Sequence, residues 1–193
     1  PPPCSMIRLL FAVFAALLLT ACDRAQVWHR ESYVFGTRVE VAVWGEDEAK
    51  AGEAMAAVLR EFDRMHRAYH AWEPSELTAL NRAIARGEHA QVSPELARML
   101  TDARRLAEQG EELFNPALGK LIALWGFHTD TFEARLPDPA AVRALVASAP
   151  SMADVNIDGT EVWSDNPDVE LDLGGYAKGY ALDRAAAILR AQG

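Results

Sequence analysis

Cysteine is nearly missing from this 193-residue chain, which has only Cys4 and Cys22, both close to its start. Disulfide frameworks and thiolate metal sites are therefore excluded from everything beyond Cys22, and that region must be held by its apolar core. Positive charge is also scarce: 19 Lys and Arg stand against 28 Asp and Glu, a formal charge of −9. Nucleic acid is not an expected partner, because a phosphate backbone needs a basic surface, and any anionic ligand must be held by local groups. No internal repeat or low-complexity linker divides the chain, and half of its residues are apolar, enough for one domain. Neither the G-x-G-x-x-G spacing nor the Lys-Ser/Thr ending of a phosphate-binding loop occurs.

What is present begins at Met6. One positive charge, Arg8, precedes an apolar or small run from Leu9 to Leu19, followed by Thr20-Ala21-Cys22. A transmembrane helix needs about 20 apolar residues, so this shorter run reads as a secretory signal. Its ending resembles the lipobox of bacterial lipoproteins. That resemblance implies cleavage after Ala21, a diacylglycerol thioether on Cys22 and, from Asp23, retention at the inner membrane. Residues 1–21 are thus read as upstream residues and signal peptide, 22–30 as a lipidated tether and 31–193 as the folded part. The expected location is the periplasmic face of the inner membrane, held by a lipid anchor.

Within the folded part, Ser32 to Trp44 has Val39, Val41 and Val43 on one face and reads as a half-buried strand ended by Gly45. From Glu46 to Tyr69, Ala51, Met55, Val58, Phe62, Met65 and Tyr69 recur every three or four residues, the core stripe of a long helix. Ser75 caps a short helix running through Asn81, and Ser93-Pro94-Glu95 opens another that Gly110 ends. A further helix starts at Asp138-Pro139 and stops before Pro150. Val155 to Asp158 and Glu161 to Trp163 form a hairpin about an Asp158-Gly159 turn.

The segment Val169-Glu170-Leu171-Asp172-Leu173-Gly174-Gly175-Tyr176-Ala177-Lys178-Gly179-Tyr180 reads as a strand, a double-glycine turn and a helix start, with a lysine one turn in. Glycines permit positive φ and close approach to the main chain, and a helix N-terminus favours anions through its free N–H groups and dipole. The simpler reading is that the two glycines let strand and helix pack closely. Trp72, before Pro74, lies in a loop where a planar ring could stack on it or where it could fill a helix junction.

Four stretches occur in one order: Tyr33 to Thr37, His70 to Asn81, Gly110 to Phe127, and Leu171 to Tyr180 with Asp183. Together they resemble the ApbE family of FAD:protein FMN transferases over essentially all of Glu31 to Gly193. The resemblance implies an α+β, ApbE-like (T-fold-like) mixed α/β domain. It also implies an enzyme that uses FAD and a divalent metal, usually Mg2+, to move FMN onto a Ser/Thr hydroxyl of an acceptor protein, releasing AMP.

By the same resemblance, Phe35 stands at the flavin wall, often a methionine, and Trp72 at the aromatic that stacks on the isoalloxazine. Leu113, Phe114 and Asn115 form the turn that holds the cofactor, where many relatives carry aspartate instead of Asn115. Asp172 and Lys178 match positions that contact FAD and serve catalysis, and the Gly175 carbonyl matches a metal ligand. Asp172 would orient the ligand or a metal-bound water, and can also cap the helix that follows. Relatives continue with an Ala-Asp-x-x-x-Thr-like run bearing metal ligands and a histidine-bearing segment. Nothing like these follows Gly193, so the chain is expected to be the N-terminal portion of a longer enzyme, inactive and marginally stable alone.

Rival readings are a periplasmic FAD pyrophosphatase, a flavin-binding lipoprotein and a calcium-binding module. The last rests on Asp154-x-Asn156-x-Asp158-Gly159 with Asp165 at the twelfth position, an aspartate where an EF-hand has glutamate. His66 and His70 are spaced as zinc ligands, but without the H-E-x-x-H glutamate they read as ordinary surface histidines.

Overall fold

Phe35 and Gly36 divide the expected first strand in two. The computed structural model describes residues 26–131 and 133–192, so the signal, Cys22 and the start of the tether lie outside the described residues. β1 (Val27–Val34) and β2 (Thr37–Trp44) form an antiparallel hairpin with Val34 opposite Thr37. Phe35 and Gly36 have φ of 57° and 67°, the two left-handed residues of a tight type I′ connection. The valine alternation of β2 was legible, but the reversal was not, because phenylalanine is a poor turn residue. Val41 is buried, with Val39 and Val43 partly so.

Helix α1 (Glu48–Ala68) buries Ala51, Met55, Val58, Phe62 and Met65, as its stripe predicts, and packs against the hairpin and the last helix. Asp47 caps it by accepting from the Lys50 N–H. Ser75 caps α2 (Glu76–Ala85), which runs one turn beyond Asn81. After the short β3 (Ala90–Gln91) comes α3 (Pro94–Gln109), capped by Ser93 and ended at Gly110. Helices α4 (Gly119–Leu124) and α5 (Pro139–Ser148) follow, with α5 starting and stopping where its prolines require. β4 (Val155–Asp158) and β5 (Glu161–Ser164) form the expected hairpin, and β5 also pairs with β3, giving the antiparallel order β3-β5-β4.

The expected strand from Val169 to Leu173 is instead an extended strip with one isolated parallel bridge, Leu118 to Glu170. Its alternation holds: Val169, Leu171 and Leu173 are buried, while Glu170 and Asp172 are only partly so. One edge is tied to the 116–119 turn by Asp172 N–H to the Pro116 carbonyl (2.8 Å) and Gly119 N–H to the Glu170 carbonyl (2.7 Å). On the other edge a side chain replaces a neighbouring strand. Asn81 donates to the Leu171 carbonyl at 2.9 Å and accepts the Leu171 N–H at 2.8 Å. The final helix, α6 (Gly174–Ala191), already includes both glycines of the expected turn, and neither has a positive φ.

Glu95 on α3 ties the helices together. It accepts from the Tyr69 hydroxyl at 2.8 Å and the Tyr180 hydroxyl at 3.3 Å and pairs with Arg64 at 2.8 Å. This joins the end of α1 to the start of α6, the two edges of the cleft described next.

Candidate functional site

A cleft of about 560 Å³ opens between the Phe35-Gly36 turn, the end of α1, the loop before α2 and the first turn of α6. It has the size of an ordinary small-molecule site. Phe35, Trp72, Asp172 and Lys178 all line it, so four of the positions singled out in sequence meet at one opening. Three segments far apart in sequence supply them.

Asp172 is the best-held group. Its Oδ2 lies 2.9 Å from His128 Nε2, and its Oδ1 accepts the Gly174 N–H at 2.8 Å. Only 11 % of its side chain is exposed. Burial pushes the Asp172 carboxyl up, but the hydrogen bonds from His128 and Gly174 outweigh it and hold the group below the ordinary range. An ionised carboxylate only accepts, so His128 donates through Nε2. Its Nδ1 side faces Glu170 at 3.7 Å.

Above this pair an aromatic train crosses the cleft. Trp72 stacks on His128 with centroids 5.2 Å and planes 24° apart, and His70 meets Trp72 edge-on at 4.4 Å. His66 lies 5.0 Å from His70 and 5.9 Å from Phe35. His66, near the end of α1, and His70, just past it, are thus not ordinary surface groups: both line the cleft. His70 Nδ1 accepts the Glu73 N–H at 3.0 Å and the Trp72 N–H at 3.4 Å. Burial lowers the His70 pKa, in keeping with a ring nitrogen that must stay unprotonated to accept those amides. This fixes the loop that carries Trp72, whose side remains 41 % exposed.

The α6 start differs from the expected anion nest. Its Gly174 N–H is taken by Asp172, and the Tyr176 and Ala177 N–H groups both reach the Leu173 carbonyl. The helix dipole and the exposed Lys178 still favour an anion at this end.

Leu113, Phe114 and Asn115 are not brought to this opening. Leu113 is 93 % exposed, and Phe114 faces Gly175 beside Tyr176 and Tyr180 in a separate depression. Asn115 donates to the Pro150 carbonyl at 2.9 Å and accepts the Ala117 N–H at 3.0 Å, so its amide shapes the turn from both ends. The Asp154 to Asp158 stretch is a short 3-10 turn and a strand paired with β5, not a loop closing on one ion. Sequence reasoning missed His128. It follows Trp125-Gly126-Phe127, with nothing in its neighbourhood to mark it; only folding brings it to Asp172.

The model of the ApbE family matches residues 35–193. The chain belongs to the ApbE family. A Rhodobacter capsulatus relative, named FAD:protein FMN transferase, is 50% identical over 161 residues, covering 83% of this chain and 31% of that protein. A Klebsiella pneumoniae protein of the same name is 29% identical, covering 86% of this chain and 51% of its own length. Among solved structures, the ApbE protein of Thermotoga maritima superposes with a TM-score of 0.79 at 27% identity, over 86% of this chain and 53% of that one. The flavin transferase ApbE of Vibrio cholerae, at 23% identity and a TM-score of 0.76, shares the fold over 87% of this chain and 54% of its own. The chain therefore has the mixed α/β ApbE fold and spans about a third to a half of the length of these relatives.

Proposed function

We propose that this chain carries the flavin-gripping part of a FAD:protein FMN transferase. In that reaction a Ser/Thr hydroxyl of an acceptor protein attacks the FMN phosphorus, a new phosphoester forms, and the bond to AMP breaks. The observation that supports the reading most directly is the meeting of Trp72, Phe35, Asp172 and Lys178 around one cleft, in a chain half-identical to a relative named for that activity.

Each residue has a physical task. Trp72 offers an indole to a flat isoalloxazine, and burying both rings drives binding. Phe35, braced by Phe62 and His66 at 5.9 Å, forms a further part of the wall. Lys178 and the α6 dipole attract the pyrophosphate, which an otherwise acidic chain needs. Asp172, already ionised, orients what binds rather than attacking it. The rate gain assigned to these groups is one of position, holding the phosphorus in line with the hydroxyl.

Mg2+ does not fit the described residues by themselves. No three His, Cys, Asp or Glu side chains converge among them to hold a metal. Asp172 has both oxygens engaged, and Gly175 lies within the first turn of α6. The groups described here are assigned binding and orientation, and this chain alone is proposed to bind FAD without completing transfer.

FAD binding by this chain, followed by quenching of flavin fluorescence, is the first test. The second replaces the aligned stretch of the Rhodobacter capsulatus relative by this chain and supplies FAD, magnesium and an acceptor protein with a target threonine. Covalent flavin on the acceptor, lost in a Thr→Ala control, supports the transferase. Release of FMN and AMP without labelling points to a FAD pyrophosphatase, and a folded chimera that neither binds nor transfers sinks the reading.

The lipobox-like ending supports a further proposal: Cys22 is lipidated and anchors the protein at the periplasmic face of the inner membrane. Labelled fatty acid incorporated by the wild type and lost in Cys22→Ser, with fractionation to that membrane, is the expected result.

A further inference from the structure

We infer that His128 is a positioning residue of the cleft, presetting both the Trp72 indole and the Asp172 carboxylate for the ligand. The inference rests on the reading of this cleft as a FAD site. One imidazole joins three segments: His128 comes from the loop after α4, Trp72 from the loop before α2, and Asp172 from the strip before α6. Its side chain is only 9 % exposed. One ring nitrogen is 2.9 Å from Asp172, the other is 3.7 Å from Glu170, and the ring face supports the indole.

Each contact restricts something that would otherwise move. An indole that is 41 % exposed in a loop loses rotamer freedom on stacking a ligand, and a stacked partner behind it removes part of that cost beforehand. The Gly174 N–H holds one oxygen of the Asp172 carboxylate at 2.8 Å, and the His128 N–H at 2.9 Å decides which way its second oxygen points. The indole has His128 stacked on it and His70 edge-on at 4.4 Å, so a flavin stacks on the indole surface that these two rings leave exposed.

The two contacts separate by substitution. His128→Phe keeps a ring for the indole and removes the donor to Asp172; His128→Gln keeps an amide donor and removes the ring. In the chimera, His128→Phe is expected to leave KM for FAD within about twofold while kcat falls about tenfold, whereas His128→Gln raises KM about tenfold with a smaller change in kcat. Acrylamide quenching of the Trp72 emission, isolated by difference against Trp72→Phe, should increase in His128→Gln and stay near wild type in His128→Phe. A shared loss in both variants that tracks a lowered melting temperature would overturn the inference, as would wild-type kinetics in both. If the wild type binds no FAD, the cleft reading fails. The quenching comparison then still decides His128, since an unchanged indole in His128→Gln removes the positioning role.

Discussion

Asn81 holds Leu171 by both ends of one amide, donating to its carbonyl at 2.9 Å and accepting its N–H at 2.8 Å across 90 residues of sequence. A single side chain thus supplies the hydrogen bonds of a missing strand, and it fixes the strip whose next residue is Asp172. The site therefore depends on a residue that does not touch it.

Replacing Asn81 by Ala leaves a buried N–H and a buried carbonyl without partners. Each such group costs about 1–3 kcal/mol, so a total loss of roughly 2–6 kcal/mol is expected in urea unfolding of Asn81→Ala. A change under about half a kcal/mol, the scatter of ordinary surface substitutions, would show that water enters and replaces the amide.

Gly119 and Gly179 should respond oppositely to a methyl group. A Cβ on Gly119 would sit 2.6 Å from the Glu170 carbonyl oxygen, while one on Gly179 meets nothing within 4 Å. Gly119→Ala must push the strip away, at a cost of about 1–3 kcal/mol. Gly179→Ala, inside α6, is expected to stabilise by up to about 1 kcal/mol through helix propensity. Thermal melts of the two variants shifting the same way would count against this account.

His70 sets an acid limb of stability. Its pKa is lowered in the fold, mainly by burial, so the unfolded chain takes up the proton first. The stabilising contribution is full above the unfolded value of about 6.5 and is lost as pH falls from there through the folded value. His70→Asn, whose side-chain oxygen can still accept the Glu73 N–H, should flatten stability across that window. Asp172, also lowered in the fold, gives a separate loss beginning near its unfolded value of about 3.9. Unfolding titrations from pH 3 to 8 on both His70→Asn and Asp172→Asn distinguish the two limbs.

Trp72→Ala should weaken FAD binding about tenfold, and Trp72→Phe less, because an aromatic stack is worth about 0.5–1.5 kcal/mol beyond its buried area. Equal affinity in all three proteins would place the flavin elsewhere.

Asn115→Ala should reduce stability by about 1–3 kcal/mol, since the Ala117 N–H and the Pro150 carbonyl both lose a partner. The FAD affinity of this chain should stay unchanged. A selective loss of FAD binding with an unaltered melt would return Asn115 to the cofactor site. Aspartate at this position, as the family resemblance leads one to expect, keeps the acceptor for Ala117 but has no N–H for Pro150.

Local periodicity and capping were legible because they are properties of neighbouring residues. The α1 stripe from Ala51 to Tyr69, the Ser75 and Ser93 caps, the Pro139 helix start and the β4-β5 hairpin all rest on side chains within a turn of one another. The alternation of Val169, Leu171 and Leu173 was equally readable, yet their element was not, since a strand needs a partner and the partner here is Asn81 and a turn. Phe35 hid the first hairpin because left-handed geometry on a bulky residue is imposed by its surroundings, which include Phe62 and His66.

The chain by itself determined its helices, its acidic balance, its motif order and, through that order, the family to which it belongs. Tertiary structure alone decided which of those motifs share a cleft. Trp72, His128 and Asp172 meet across 100 residues because buried alternation and helix stripes pull their segments together, whereas Asn115 is drawn into a turn by two backbone groups. Contacts between distant segments depend on three-dimensional packing, and no local pattern in a single sequence records them.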